Sequence, residues 1–321
     1  EKFTEENMNE ESITFFLDLI FNPNVKDGAF ENVEKQKNKL RQQIISIKDN
    51  KIKYSMLKMM ETVKDRPYSY NTFGYIEKID EITGKNLYEY YQKVLNEDQI
   101  DIFVLGDFDS YEMKEIFKNK FKINTFKKSN KNILVKELPI RKRIVKYKEE
   151  DNVNQVQLLM LCSLNNLTDY ERKYVIKLYG EILGGSSNSI LFNTVREKKG
   201  YCYYINSMVK SYDNILIINS GIEKENVDKC LKLIRKCMKE MREGKFTEVI
   251  TSSKNTITSS IRASFDNPIG VINSYFSKIL VGSDDPLERI DKFNNITKEE
   301  LVKVSKKVNF YTVLTLEKGD E

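Results

Sequence analysis

Hydrophobic and polar residues follow the period of amphipathic helices through most of the first third of the chain. This spacing predicts helices over residues 8–21, from Gly28 towards Val63, near 85–95 and near 110–119. The segment QIDIFVLGD (99–107) differs, because its short apolar run ended by Gly106 predicts a buried strand. The lysine-rich residues that follow show no sustained period, and we interpret 126–141 as a linker.

Beyond the linker the pattern predicts a mixture of strands and helices. Apolar runs predict strands over 143–150, 153–162, 201–210, 214–222 and 309–317. Helical spacing predicts helices over 167–185, 187–198, 224–242, 246–265, 269–281 and 297–307. Thr168, with Glu171 three residues later, has the form of a helix N-cap, and Gly184-Gly185 has the form of a helix end.

The two halves of the chain resemble each other. The matching segments are 76–107 with 287–320, and 30–50 with 246–267. This repeat predicts an α+β fold with two homologous domains, 1–125 and 142–321, each a sheet packed with helices. By the same repeat the first copy should begin about 70 residues before Glu1, so we expect the first domain to be N-terminally incomplete.

Composition narrows the possible function classes. The net charge of +5 comes from basic and acidic residues that alternate, which is typical of a solvated surface and argues against nucleic-acid binding. The longest apolar runs are far shorter than the roughly 20 residues of a membrane span. The four cysteines lack C-x-x-C spacing, which favours reduced, buried thiols in a cytoplasmic protein. Histidine is absent, which removes the commonest general base and zinc ligand.

One block in the second half carries a specific resemblance. GEILGGSSNSILFNTVREKKGYCYY (180–204) resembles the pitrilysin/insulinase-type zinc peptidase family, in its mitochondrial-processing-peptidase branch. The matching residues are Gly184, Gly185, Ser189, Leu191, Phe192, Val195, Arg196, Glu197, Lys198, Gly200 and Tyr203. The first half matches in its order of elements, so the resemblance covers essentially the whole chain.

The resemblance implies a substrate-binding role for Arg196 and Tyr203, which in that family hold the backbone and terminal carboxylate of a peptide. A guanidinium offers a planar fork to a carboxylate, and a phenol adds a donor at fixed reach. Residue types alone favour a structural role, in which Arg196 pairs with a nearby carboxylate and Tyr203 packs on the sheet; the family block around them favours substrate binding. Pleat alternation places Tyr204 on the opposite strand face, where we expect it in the core.

The zinc chemistry of the family is not expected here. Its metal site takes two His from an H-x-x-E-H helix and a Glu from a later E-x6-E helix. No His is present, and Gln36 and Gln43 occupy the two positions of the later helix. A neutral amide is a poor zinc ligand, so Gln43 marks a degenerate metal-ligand position, and we expect no cofactor in this chain. For Gln36 we prefer the simpler explanation that it lies on a solvated helix face.

We therefore interpret the sequence as a non-catalytic peptidase homologue that helps to position a peptide. Its expected partner is a zinc-bearing homologous subunit, or a second copy of itself. The composition, rich in lysine, asparagine and isoleucine, suggests a bacterium with an AT-rich genome. Two alternatives stay open: a structural scaffold without peptide binding, and an active zinc peptidase whose metal-binding helix is missing from this chain.

Overall fold

The computed structural model describes residues 7–121 and 133–319. The chain divides into two units: unit 1 comprises Glu1–Ser46 and Phe73–Asn132, and unit 2 comprises Ile47–Thr72 and Ile133–Glu321. The predicted linker, 126–141, lies partly outside the described residues.

Helices predominate in the first part of the chain, and the longer strands occur in the second. The α-helices of the described ranges are α1 (Met8–Phe21), α2 (Val33–Ile47), α3 (Lys51–Glu61), α4 (Ile76–Ile79), α5 (Gly84–Glu97), α6 (Ser110–Lys120), α7 (Ile176–Gly180), α8 (Val227–Arg242), α9 (Thr247–Ala263), α10 (Pro268–Val281), α11 (Pro286–Asn295) and α12 (Lys298–Ser305). The strands are β1 (Val25–Lys26), β2 (Ala29–Phe30), β3 (Val145–Glu150), β4 (Val156–Leu164), β5 (Cys202–Lys210), β6 (Ile215–Ile222) and β7 (Val308–Glu317). Wide π-helical turns flank α7 at Glu171–Val175 and Glu181–Gly185, and another spans Phe192–Glu197. Short 3₁₀ turns occupy Pro67–Ser69, Lys224–Asn226 and Ser264–Asp266.

Unit 2 is built on a five-stranded sheet in the order β3-β7-β4-β6-β5. Strand β3 runs parallel to β7, and the other neighbours are antiparallel. The five strands predicted beyond the linker are all confirmed, and the mixed α+β class with them. Within the described ranges, no helix has both the length and the apolar character needed to cross a bilayer.

The central strand β4 explains why both faces of the sheet are covered. All nine of its residues are buried, and alternate side chains enter different cores. Leu158 and Met160 join the large core beneath the helices of unit 2. Leu159 and Leu161 join a smaller core on the opposite face, which includes Met59 of α3.

The predicted continuous helix from Gly28 to Val63 is wrong. The β1–β2 hairpin occupies the start of the predicted range, so α2 begins only at Val33. The helix is then broken at Asn50, whose side chain accepts a hydrogen bond from the Lys53 N–H at 3.0 Å and caps α3. The break lets α3 turn its apolar face onto the sheet of unit 2, which is why residues 47–72 group with 133–321. The two units are defined by contacts between residues. The domains 1–125 and 142–321, which were inferred from the sequence repeat, stay a prediction.

The strand predicted at 99–107 is also wrong, because these residues form no strand. A strand needs a hydrogen-bonded neighbour. In the described part of unit 1 the strands are β1 and β2, two residues each, and they pair with one another. Ile102, Val104 and Leu105 are accordingly 46%, 43% and 51% exposed.

The helix that contains α7 begins at the predicted cap. The Glu171 N–H donates to Thr168 Oγ1 at 3.2 Å, and the Thr168 N–H donates to Glu171 Oε2 at 2.8 Å, which confirms the reciprocal cap. Lys307 Nζ also donates to Glu171 Oε2, at 2.6 Å. Burial acts to raise the pKa of the Glu171 carboxyl, but the bonds from Lys307 and Thr168 outweigh it and the pKa is lowered.

We expect Met59→Ala to lower the free energy of unfolding by about 2–5 kcal/mol, because it leaves a cavity against the sheet. The Met59 side chain is 0% exposed. Ile52→Ala is the matched control on the same helix, at a position 44% exposed, and should cost below about 1 kcal/mol. Urea denaturation measures both; equal effects would contradict the packing of α3 on the sheet.

We expect Glu171→Gln to lower the free energy of unfolding at pH 7 by about 1.5–3 kcal/mol, since it removes a charged hydrogen-bond acceptor. A lowered folded-state pKa stabilises the protein above the unfolded-state value of about 4.3 and loses that effect as pH falls through the folded-state value. The difference between wild type and variant should therefore shrink below about pH 4.3. Urea titrations at several pH values test this, with the exposed Glu89→Gln as control; a pH-independent difference would refute it.

Candidate functional site

The Arg196–Tyr203 block forms a helix–turn–strand corner in unit 2. Leu191 and Val195, both 0% exposed, anchor the helical part in the core. Gly200 has a positive φ of 62°, and its N–H donates to the Arg196 carbonyl at 2.9 Å. This left-handed residue turns the chain into β5, as glycine does with little steric cost. The sequence pattern therefore places the Arg at the end of the helix and the Tyr at the start of the strand.

The Arg196 side chain is open to ligands. It is 41% exposed, its guanidinium carbon lies 4.6 Å from the centre of the Phe192 ring, and Nη1 lies 3.6 Å from Glu197 Oε1. Within the described residues its N–H groups make no hydrogen bond to protein. Exposed ion pairs of this length contribute about 0–1 kcal/mol, so the guanidinium is oriented by Phe192 and is not held by a strong partner.

Tyr203 is placed by an irregularity in the β5–β6 ladder. The register passes from Cys202↔Ile222 to Tyr204↔Gly221, so Tyr203 is an extra residue of the bulge type. Its side chain is 59% exposed and its hydroxyl donates to Glu223 Oε1. The hydrogen bond to this carboxylate and its negative charge raise the pKa of Tyr203.

Tyr204 is half-buried and not fully enclosed, whereas Tyr203 is exposed. The bulge at Tyr203 interrupts the pleat alternation from which a core position was predicted for Tyr204. Its hydroxyl donates to Gln157 Oε1, and burial raises its pKa to about 12. The ring occupies space that Gly221 leaves open, since a Cβ there would lie 2.5 Å from the Tyr204 ring. Tyr204 thus packs on the sheet.

The corner brings Arg196 and Tyr203 into one segment but gives them different partners. Arg196 contacts Phe192 and Glu197, whereas Tyr203 contacts Glu223. Sequence reasoning missed Glu223. The predicted β5–β6 hairpin could have indicated it, because pairing of the two strands sets the start of β5 beside the end of β6, where Glu223 follows.

The residues of this chain do not fit the zinc site of the resembled family. Gln36 and Gln43 both lie on α2, and both are exposed. Their side chains end in neutral amides, which are poor zinc ligands, and the sequence contains no His. Within 7–121 and 133–319, no group of three or more Cys, Asp or Glu residues is arranged to hold a metal ion. The four cysteines are all buried and free of disulfides.

Unit 2 thus combines a mixed sheet packed with helices and an Arg–Gly–Tyr corner whose Arg and Tyr side chains are exposed. The model of the family described as "Peptidase M16 inactive domain" matches residues 81–252, which include Arg196 and Tyr203. The chain belongs to this family.

Individual relatives agree with this assignment. The chain is 29% identical to a protein of Bacillus subtilis named "Probable inactive metalloprotease YmfF", over 97% of this chain and 74% of that protein. It is 23% identical to "Uncharacterized zinc protease YmxG" of the same bacterium, over 88% of this chain and 69% of that protein. A crystal structure of a conserved protein from Enterococcus faecalis superposes with a TM-score of 0.91 at 26% identity, over 99% of this chain and 76% of that one.

We expect Gly200→Ala to destabilise the protein by about 1–2 kcal/mol, because alanine disfavours a positive φ. A Cβ at this position meets no atom within 4 Å, so the cost is conformational and not steric. Gly200→Asn is the matched control, since Asn tolerates the left-handed region better. Urea denaturation should rank wild type above Asn and Asn above Ala; an unchanged Ala variant would contradict the turn.

Proposed function

We propose that this chain is the non-catalytic member of a peptidase pair and that Arg196 and Tyr203 position a peptide for cleavage by a zinc-bearing homologue. The observation that carries the proposal is the exposed guanidinium of Arg196, which has no hydrogen bond to protein within the described residues. It lies inside the matched family domain, in a chain that lacks the zinc donors.

Two relatives support a division of labour. One bacterium, Bacillus subtilis, has both a relative named as a probable inactive metalloprotease and one named as a zinc protease. We infer that this chain likewise works with a metal-bearing homologue, which would supply the zinc and the base. A second copy of this chain is the other possible partner, and a cytoplasmic location stays part of the proposal.

In this proposal Arg196 and Tyr203 have different tasks. Arg196 would present two parallel N–H groups to a peptide carboxylate or carbonyl, with Phe192 holding the guanidinium plane. Tyr203 would exchange its bond to Glu223 for one to the peptide backbone. Both contacts reduce the entropy cost of bringing the scissile bond to the partner's metal, and neither requires chemistry on this chain.

We expect Arg196→Ala combined with Tyr203→Phe to lower kcat/KM of the reconstituted pair by about 10- to 100-fold, because a charge-assisted hydrogen bond contributes about 1.5–3 kcal/mol. The assay follows peptide hydrolysis by the zinc-bearing homologue at a saturating concentration of this chain. Lys199→Ala, which removes an exposed cation from the same corner, is the control and should leave kcat/KM unchanged. Unchanged hydrolysis by the double variant would favour the scaffold alternative.

A further inference from the structure

A cavity of about 400 Å³ opens in unit 2, among residues of α7, the π-helical turn that follows it, β5, α9 and α11. Its lining shares no residue with the Arg196–Tyr203 corner. Two glycines bring the helix close to β5: a Cβ on Gly180 would lie 2.5 Å from Val209, and one on Gly184 would lie 2.7 Å from the Ser207 nitrogen. The wide turn at Glu181–Gly185 then follows, and such turns are frequent at functional sites.

Two cations line the cavity without an acidic partner. Neither Lys177 nor Arg289 forms an ion pair within the described residues, whereas the neighbouring Lys173 pairs with Asp169 at 2.8 Å. Although much of Lys177 is exposed, its pKa is lowered because the surrounding protein desolvates the ammonium, and Arg289 and Lys173 repel it. An anionic group in the cavity would relieve this repulsion.

One oxygen of a carboxyl group in the cavity lining also lacks a hydrogen bond. Glu181 Oε1 is buried without a hydrogen bond, and burial raises the pKa of the carboxyl despite a hydrogen bond with Ser186. Glu181 lies four residues after Lys177 and lines the same cavity, yet the two side chains form no ion pair. Its carboxylate folds back over Gly185, where an added Cβ would lie 2.1 Å from Oε2. A cationic group in the cavity would offset the negative charge of this carboxylate.

The remaining walls are apolar or accept hydrogen bonds. Val209, Ile257, Ile261 and Phe293 form the apolar part. The hydroxyl groups on α9 and on the 3₁₀ turn after it already donate to backbone carbonyls, so their oxygens remain acceptors. These bonds run from Thr256 to Ser252, from Ser260 to Thr256 and from Ser264 to Ile261. The cavity thus combines separated positive and negative groups with a hydrophobic wall.

We propose that this cavity binds a small zwitterion with an apolar side chain, either a free amino acid or a short peptide. The ligand's carboxylate would contact Lys177 and Arg289, and its ammonium would contact Glu181. Its side chain would lie against the apolar wall. This site is independent of the proposed function, because none of its residues belongs to the corner.

Titration calorimetry on the full chain tests the site with four probes: leucine, leucyl-leucine, N-acetyl-leucyl-leucine and leucyl-leucinamide. At least one of the two zwitterions, leucine or leucyl-leucine, should bind saturably at millimolar concentration. Tighter binding of leucine would indicate a free amino acid as the ligand, and tighter binding of leucyl-leucine a short peptide. Each capped dipeptide, which lacks one charge, should bind at least about tenfold more weakly than the better zwitterion.

Glu181→Gln and Lys177→Met should each weaken binding of the better zwitterion at least about tenfold, which corresponds to about 1.4 kcal/mol. Lys232→Met, on the exposed side of α8, is the matched control and should bind as wild type does. Circular dichroism checks that each variant is folded. Absence of saturable binding, equal binding of an acetylated probe, or wild-type affinity in Glu181→Gln would each overturn the proposal.

Discussion

The burial of β4 on both faces is the constraint on which the rest of unit 2 depends. Because all nine residues of this strand are enclosed, its sheet must be covered by helices on one side and by α3 on the other. In the same sheet β6 lies beside β4, and β5 lies at the edge. Leu191 and Val195 pack into the large core next to β5, and Arg196 and Tyr203 lie at the surface.

The polar side chains that unit 1 and unit 2 present determine which ligands the chain can bind. Under the proposed function, the exposed guanidinium of Arg196 and the phenol of Tyr203 bind a peptide, while Gln36 and Gln43 offer neutral amides, which are poor zinc ligands. Unit 2 also holds a separate cavity lined by Lys177 and Arg289, which form no ion pair within the described residues, and by Glu181, which has one carboxyl oxygen without a hydrogen bond.

The sequence was most informative where local rules and packing agree. The strands beyond the linker and the Thr168–Glu171 cap follow from apolar runs and short-range hydrogen bonds, and the structure has both. Predictions failed where contacts between distant residues determine the structure. Residues 99–107 have the composition of a strand but no strand to pair with among the described residues. The helical period that runs through Asn50 does not reveal that this residue ends one helix and caps the next. Glu223 was missed because its contact with Tyr203 depends on the register of two strands.

The central claim is that this chain binds peptide for a partner and does not cleave it. The most direct measurement is peptide hydrolysis by this chain alone, by the zinc-bearing homologue alone and by the mixture, with zinc counted per chain in each sample. The account predicts zinc only in the homologue, no hydrolysis by this chain alone, and a rate for the mixture well above that of the homologue. Stoichiometric zinc in this chain with hydrolysis by it alone would contradict the account.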